Sequence, residues 1–271
     1  MHAGGGVLLL PNVWDAASAR IIEEAGYPAI ATTSAGIAAA QGFSDGQAIS
    51  RDRMISVIAQ IVQSVKVPVS ADVEAGYGSR PEDAAQTARE VLTAGAIGLN
   101  LEDASGDRQQ PLVDLSLQLE KLRAIRETAD KLRVQLVLNA RTDVYLLQVG
   151  DPAQRYDETL RRLLAFRDAG ADCVFVPGLR DAATIGRLVS DIRCPVNVLA
   201  VPGGLSVSEL KALGVRRISL GSGPMRAALG LMRRLAEELK TRGTYSLLDG
   251  APSYAEINAL MSSNWSAPRS G

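Results

Sequence analysis

Short runs of aliphatic and β-branched residues alternate with longer stretches patterned at helical spacing, and the alternation recurs eight times along the chain. The runs predict strands over Val7–Val13, Ala29–Ser34, Val67–Glu74, Ala96–Asp103, Val134–Arg141, Cys173–Pro177, Val196–Leu199 and Arg217–Gly221. Helical patterns include Asp52–Val65, Pro81–Ala94, Leu115–Ala129, Ala153–Ala169 and Gly223–Lys240. Strands that are apolar throughout belong in a parallel sheet buried on both faces. Gly26, Gly95, Gly170 and Gly214 each close a helical pattern just before a strand, where the left-handed helix-ending conformation suits glycine. That repeated joint implies a repeated βα unit. The pattern predicts an α/β fold, a (β/α)8 barrel of the TIM type, over residues 1–242. An open doubly wound sheet would show a Gly-rich phosphate turn after its first strand, and none is present. A further helical pattern at Tyr254–Met261 follows the eighth unit. Residues 243–271 are therefore a C-terminal helical extension, folded back on its own barrel or exchanged between subunits.

Composition narrows the chemistry. The 271 residues carry a net charge of −1 and only 4% aromatics, so neither a basic field nor a base-stacking surface invites nucleic acid or anionic lipid. No apolar run approaches the roughly 20 residues that span a bilayer, and the opening Met1–Gly6 lacks the layout of a secretory signal. Cys173 and Cys194 form neither a disulfide framework nor a spaced metal motif, which fits a reducing, cytoplasmic setting. His2 is the only histidine and sits in a loose N-terminus, while Ser266–Gly271 reads as a frayed tail. Histidine general-base catalysis and histidine-ligated zinc are thereby nearly excluded.

In such a barrel the active site lies at the C-terminal ends of the strands. The third strand ends in Asp72-Val73-Glu74-Ala75-Gly76-Tyr77-Gly78, and residues two apart on a strand share a face. Adjacent carboxylates repel unless a cation lies between them, and a hard, oxygen-seeking Mg²⁺ resolves this with several waters retained. The bland alternative is a pair of solvated loop acids. The fourth strand ends in Glu102-Asp103; alternation with Asn100 turns Glu102 to the polar face and leaves Asp103 as a loop or cap residue. On the fifth, Asn139, Arg141 and Asp143 share a face. Arg141 suits a two-pronged grip on a substrate carboxylate, with a purely structural Arg141–Asp143 pair as the alternative. Asn197 is a further polar group at a strand end, the small residues Ser34-Ala35-Gly36 suit a backbone anion nest, and Asp45 reads locally as a turn residue.

Taken together, Pro11-Asn12-Val13-Trp14-Asp15, Thr33-Ser34-Ala35-Gly36, Asp72–Gly78, Leu101-Glu102-Asp103, Asn139-Ala140-Arg141-Thr142-Asp143 and Ser219-Leu220-Gly221 resemble the isocitrate lyase/phosphoenolpyruvate mutase superfamily. The likeness runs in order through most of residues 7–240. It implies a modified barrel using Mg²⁺ on 2-oxo acids or their aldol-type adducts. It implies direct metal ligation by Asp72, with Asp45, Glu74 and Glu102 acting mostly through water. Ser34, Ala35 and Gly36 would hold the oxo-acid carboxylate, Arg141 would orient the substrate, and Trp14 and Asn197 would complete its pocket. It also implies a homo-oligomer, commonly a tetramer that exchanges a C-terminal helix.

The departures shape the expected reaction. The loop Ala104–Pro111 has no Cys, Lys or His where the lyases of the superfamily carry a proton-handling cysteine. The sixth strand runs into Val176-Pro177-Gly178 where His or Glu is usual, and Glu74 stands where Asp is common. The chemistry left needs little beyond metal and arginine: a carbon–carbon lyase or decarboxylase acting on a small 2-oxo (di)carboxylic acid through an enolate. Arg141, Glu102 and Tyr77 are the expected catalytic groups, with Tyr77 or a metal-bound water as proton donor. Phosphonopyruvate hydrolase or phosphoenolpyruvate mutase chemistry is the alternative within enzymes. A non-catalytic 2-oxo acid binding protein is the alternative outside them.

Overall fold

The computed structural model of the chain describes residues 6–262, so His2 and the Ser266–Gly271 tail lie outside the described residues. The strands are β1 (Leu8–Leu10), β2 (Asn12–Val13), β3 (Ile30–Thr32), β4 (Val69–Asp72), β5 (Gly98–Glu102), β6 (Val137–Arg141), β7 (Cys173–Phe175), β8 (Val196–Leu199) and β9 (Arg217–Ser219). The helices are α1 (Ala16–Glu24), α2 (Ser34–Ala40), α3 (Arg51–Ser64), α4 (Pro81–Thr93), α5 (Leu115–Lys131), α6 (Arg155–Asp168), α7 (Ala182–Ile192), α8 (Val207–Ala212), α9 (Gly223–Arg242) and α10 (Tyr254–Ser262). Every strand pair is parallel, in the order β1-β9-β8-β7-β6-β5-β4-β3-β2.

The two ends of that order are adjacent in the chain. Where one unbroken first strand was expected, Pro11 divides it: Leu8–Leu10 pair with β9 and Asn12–Val13 with β3. Proline brings no N–H to a ladder, so the strand changes partner there at little cost, while the Pro11 carbonyl still accepts from Ala31 N–H. The sheet thus closes into an eight-stranded α/β barrel of the TIM type. Helices cover the outside, and their buried faces, such as Met54, Ile58 and Ile61 on α3 or Leu122 and Ile125 on α5, form the core with the outward residues of the strands.

Several strands end one or two residues earlier than their apolar runs, and two of these early ends shape the site. The second expected strand stops at Thr32, because the Thr33 hydroxyl accepts from Gly36 N–H and starts α2 at Ser34. The third stops at Asp72, because Glu74 (φ 52°) and Tyr77 (φ 58°) take left-handed conformations around Gly76 (φ 94°). For Glu and Tyr that conformation costs on the order of 1–2 kcal/mol each. The turn is held from below by Lys121 of α5, which is 1% exposed and donates to Ala75 O (3.1 Å) and Gly78 O (2.8 Å). Lys121→Met keeps the aliphatic stem but orphans both carbonyls. It is expected to lower unfolding free energy by about 2 kcal/mol, read as a shift of the urea midpoint at unchanged slope.

Beyond α9, a short 3-10 turn (Ser246–Leu248) leads to α10. The buried Arg20 of α1 donates to Leu260 O (2.7 Å) and Met261 O, and to Ser64 O of α3 (3.2 Å). The end of α10 therefore reaches its own barrel in this chain. Leu229, Met232 and Leu239 of α9, with Leu248 and Tyr254 of the extension, remain exposed. Among the described residues no helix is long and apolar enough to cross a membrane.

Candidate active site

A cavity of about 220 Å³ opens at the C-terminal ends of the strands, with Asp72 in its wall. One Asp72 oxygen accepts from Ser34 N–H (2.9 Å) and Ser34 Oγ (2.8 Å), the other from Asn100 Nδ2 (2.9 Å). Asn139 Nδ2 in turn donates to Asn100 Oδ1 (2.8 Å). Strand register sets this chain of contacts, since Asp72 lies opposite Asn100, and Asn100 opposite Asn139. The carboxylate is thus fixed by three donors, with one lone pair of Oδ1 left for a ligand.

Arg141 lines the same cavity and is gripped from two sides. Its Nε and Nη2 form a fork with Asp143 (2.6 and 2.9 Å), and Nη1 meets Glu102 at 2.7 Å. Burial opposes the guanidinium's charge, but Glu102 and Asp143 outweigh it and hold it firmly protonated. The Arg141–Asp143 pair is therefore present, and Arg141 also lines the cavity. Burial pushes the Glu102 carboxyl well up from its ordinary value, with Asp143, Asp72 and Glu74 adding repulsion and Arg141 opposing them.

Glu74 is 2% exposed and faces away from the strand pattern expected of it. Its carboxylate accepts from Gln47 N–H and from the Tyr77 hydroxyl (3.1 Å). Burial, with repulsion from Asp45 and Asp72, raises its pKa to about 7. Burial and Glu74 together push the pKa of the Tyr77 hydroxyl far up. Asp45, in the loop after α2, lines the cavity, and burial with Asp72 nearby raises its carboxyl as well.

Of the expected substrate groups, Ser34, Ala35, Arg141 and Asn197 line the cavity. Ser34 N–H is committed to Asp72 and Gly36 N–H to the Thr33 hydroxyl, which leaves Ala35 as the nest's available amide. A Cβ at Gly36 would approach Thr33 Cγ2 to 2.5 Å and Trp14 Cβ to 3.1 Å. Gly36 of α2 and Trp14 thus pack closely together, and neither lines the cavity. Sequence reasoning missed Asn12, Ser219, Ser222 and Arg226, which also line the cavity. Asn12 could have been found: its side chain bridges Thr32 O to the amides of Leu220 and Gly221, clamping the barrel's first and last strands.

The four expected metal carboxylates do not form a closed cage. Among the described residues no set of three or more His, Cys, Asp or Glu side chains is arranged to hold a metal ion, since Glu102 is drawn to Arg141 and Glu74 to Gln47 and Tyr77. The donor set nevertheless fits a hydrated divalent ion. Burial and repulsion from neighbouring carboxylates raise the pKa values of Asp45, Glu74 and Glu102, with Arg141 opposing the rise at Asp45 and Glu102. Such an excess of oxygen-borne charge suits Mg²⁺, which keeps several waters and needs only one or two carboxylates directly.

Fold and cavity together define an α/β-barrel enzyme whose polar groups gather at the carboxyl ends of the strands. The family model described as phosphoenolpyruvate phosphomutase matches residues 1–240, and the chain belongs to that family, within the isocitrate lyase/phosphoenolpyruvate mutase superfamily. It is 37% identical over 231 residues to an uncharacterized protein of Mycobacterium tuberculosis, covering 84% of this chain and 83% of that one. The crystal structure of a candidate lyase/mutase from Burkholderia cenocepacia J2315 is 39% identical, with a TM-score of 0.90, over 98% of this chain and 93% of that one. The 2,3-dimethylmalate lyase of Eubacterium barkeri is 27% identical over 267 residues, covering 94% of this chain and 89% of the lyase. These relationships make the chain an enzyme of the lyase kind, from a superfamily whose chemistry is carbon–carbon cleavage or P–C mutation.

Proposed function

We propose that the chain is a Mg²⁺-dependent carbon–carbon lyase or decarboxylase for a small 2-oxo (di)carboxylic acid. The observation that carries this reading is Asp72, oriented by Ser34 and Asn100 in a cavity that also holds Asp45 and Arg141. Asp72 would hold the ion directly, with Asp45, Glu74 and Glu102 reaching it through water. Bound there, Mg²⁺ supplies the Lewis acidity that stabilises an enolate. The N–H of Ala35 and the guanidinium of Arg141 face the cavity from α2 and β6, where a carboxylate can be held between them. The Arg141–Glu102–Asp143 ion group fixes that guanidinium, so orientation is prepared before substrate arrives.

The test is a panel of small 2-oxo acids and 2-hydroxy diacids, incubated with and without Mg²⁺, with products identified by NMR. Metal-dependent appearance of a 2-oxo acid or of CO₂ is the expected result; no turnover across the panel would defeat the reading. The family match and the presence of Arg226 beside Arg141 in the cavity favour one second reading, P–C chemistry. Phosphate release from phosphonopyruvate, or its conversion to phosphoenolpyruvate, would establish that instead.

The exposed apolar side chains of α9 and the extension support a homo-oligomer, which we propose is a tetramer joined through residues 243–271. Truncation after Arg242 is expected to convert the assembly to smaller species in sedimentation or light scattering. A monomeric full-length chain would sink this proposal.

A further inference from the structure

Arg217 is a buried cation with no carboxylate at salt-bridge distance among the described residues, Asp72 acting on it only from farther away. It is 3% exposed; Nη2 donates to Ser70 Oγ (3.1 Å), and Nε has no partner. Burying an unpaired guanidinium is costly, and natural sequences offset that cost with a counter-charge. Arg217 begins β9, so it stands at the N-terminal end of the barrel, one lumen layer below Ser219.

A second cavity, of about 540 Å³, opens at that end, opposite the catalytic one. Its walls are largely apolar, built from Leu8, Leu10, Ile30, Val69, Ile97 and Val137; Arg217 and Ser70 are its buried polar groups, and the exposed Asp130 and Gln135 also line it. At the rim Arg126 and Asp172 neutralise each other across 2.6 Å. The volume lies within the range typical of small-molecule sites, and the layout of apolar walls with a few placed polar groups matches them too.

We propose that this cavity binds a small monocarboxylate with an apolar tail, its carboxylate paired with Arg217 and its tail against the aliphatic walls. With Arg126 and Asp172 paired and Asp130 exposed to solvent, the one buried cation matches one negative charge, whereas a phosphate dianion would leave a charge uncompensated among aliphatic side chains. Arg217 and Ser70 also line the catalytic cavity, so the two chambers share this pair as a wall. Ser70 lies two residues before Asp72 on β4.

Hexanoate and 1-hexanol, titrated calorimetrically into the full chain, test the charge requirement. Hexanoate is expected to bind about 10- to 100-fold more tightly than the alcohol, the range set by a charge-assisted hydrogen bond. Arg217→Met should lose that margin while raising the melting temperature, because a buried unpaired charge is replaced by a fitting apolar chain. Ile97→Trp, which leaves Arg217 in place and fills the mouth, should abolish hexanoate binding. Equal binding of alcohol and acid would overturn the proposal, and so would undiminished hexanoate binding by the Ile97→Trp protein. The latter would place the ligand in the catalytic cavity. Should Arg217→Met fail to fold, the Ile97→Trp arm and the hexanol comparison still decide it.

Discussion

Asp72→Ala is expected to lower kcat/KM by about 10³-fold or more, the scale of removing a preorganised electrostatic group from an active site. Ser34 and Asn100 spend three hydrogen bonds on orienting this one carboxylate. Its loss therefore removes both the proposed metal contact and the purpose of its supports. Ser34→Ala removes only the hydroxyl and leaves Ser34 N–H in place, so a loss nearer 10-fold is expected from one hydrogen bond. Circular dichroism and thermal melts on both variants separate catalysis from folding. Activity of the Asp72→Ala protein within 10-fold of the parent would remove Asp72 from the chemistry.

The largest effect on stability is expected at Arg162. This residue of α6 is buried, and Nη1 meets Asp103 Oδ2 at 3.1 Å while also donating to Val113 O (3.1 Å). Asp103 is 0% exposed and further accepts from Thr142 Oγ1 (2.7 Å) and Asp143 N–H (2.9 Å). Breaking a buried pair by removing one partner costs about 3–5 kcal/mol, and Arg162→Ala is expected to fall in that range by urea denaturation. The dependence on pH follows from burial, which raises the Asp103 pKa to about 6 even with Arg162 opposing it. A carboxyl whose folded pKa lies above its ordinary value binds its proton more tightly in the folded state. Its contribution to stability is therefore favourable at low pH and is lost as pH rises toward 6. Without Arg162 the carboxyl rises further and the losing window extends upward, so the defect should be larger at pH 8 than at pH 5. Asp103→Asn in the Arg162→Ala background should recover part of the loss at pH 8 and little at pH 5. A defect independent of pH would show that the pair is not what holds this corner.

The barrel and its polar rim were legible because periodicity and helix-ending glycines are local signals. Asp72, Asp45, Arg141, Ser34, Ala35 and Asn197 do line one cavity. What sequence concealed lies where structure departs from period two. Glu74 was placed beside Asp72 by strand alternation, but β4 has already ended and a left-handed backbone turns Glu74 toward Gln47 and Tyr77. Asp103 read as a cap because its partner sits 59 positions away on α6. No local pattern announces such a pair. Lys121 and Arg217 were hidden for a related reason: one looks like a helix surface charge and the other like a strand-edge residue. Only the packed barrel shows each to be buried.

The divided first strand has a consequence for the order of assembly. The Asn12 side chain and the Gly221 amide that lock the seam are 209 positions apart, and β1 waits for β9 as its neighbour. Contacts so distant along the chain are slow to form, because their closing entropy is met before they return any stabilisation. During synthesis, β1 and the newest strand of the growing sheet both stay without a neighbour until β9 has left the ribosome, when most of the polypeptide has been made. Drugs or conditions that stall elongation late in the chain would then leave an open, adhesive sheet rather than a smaller finished one.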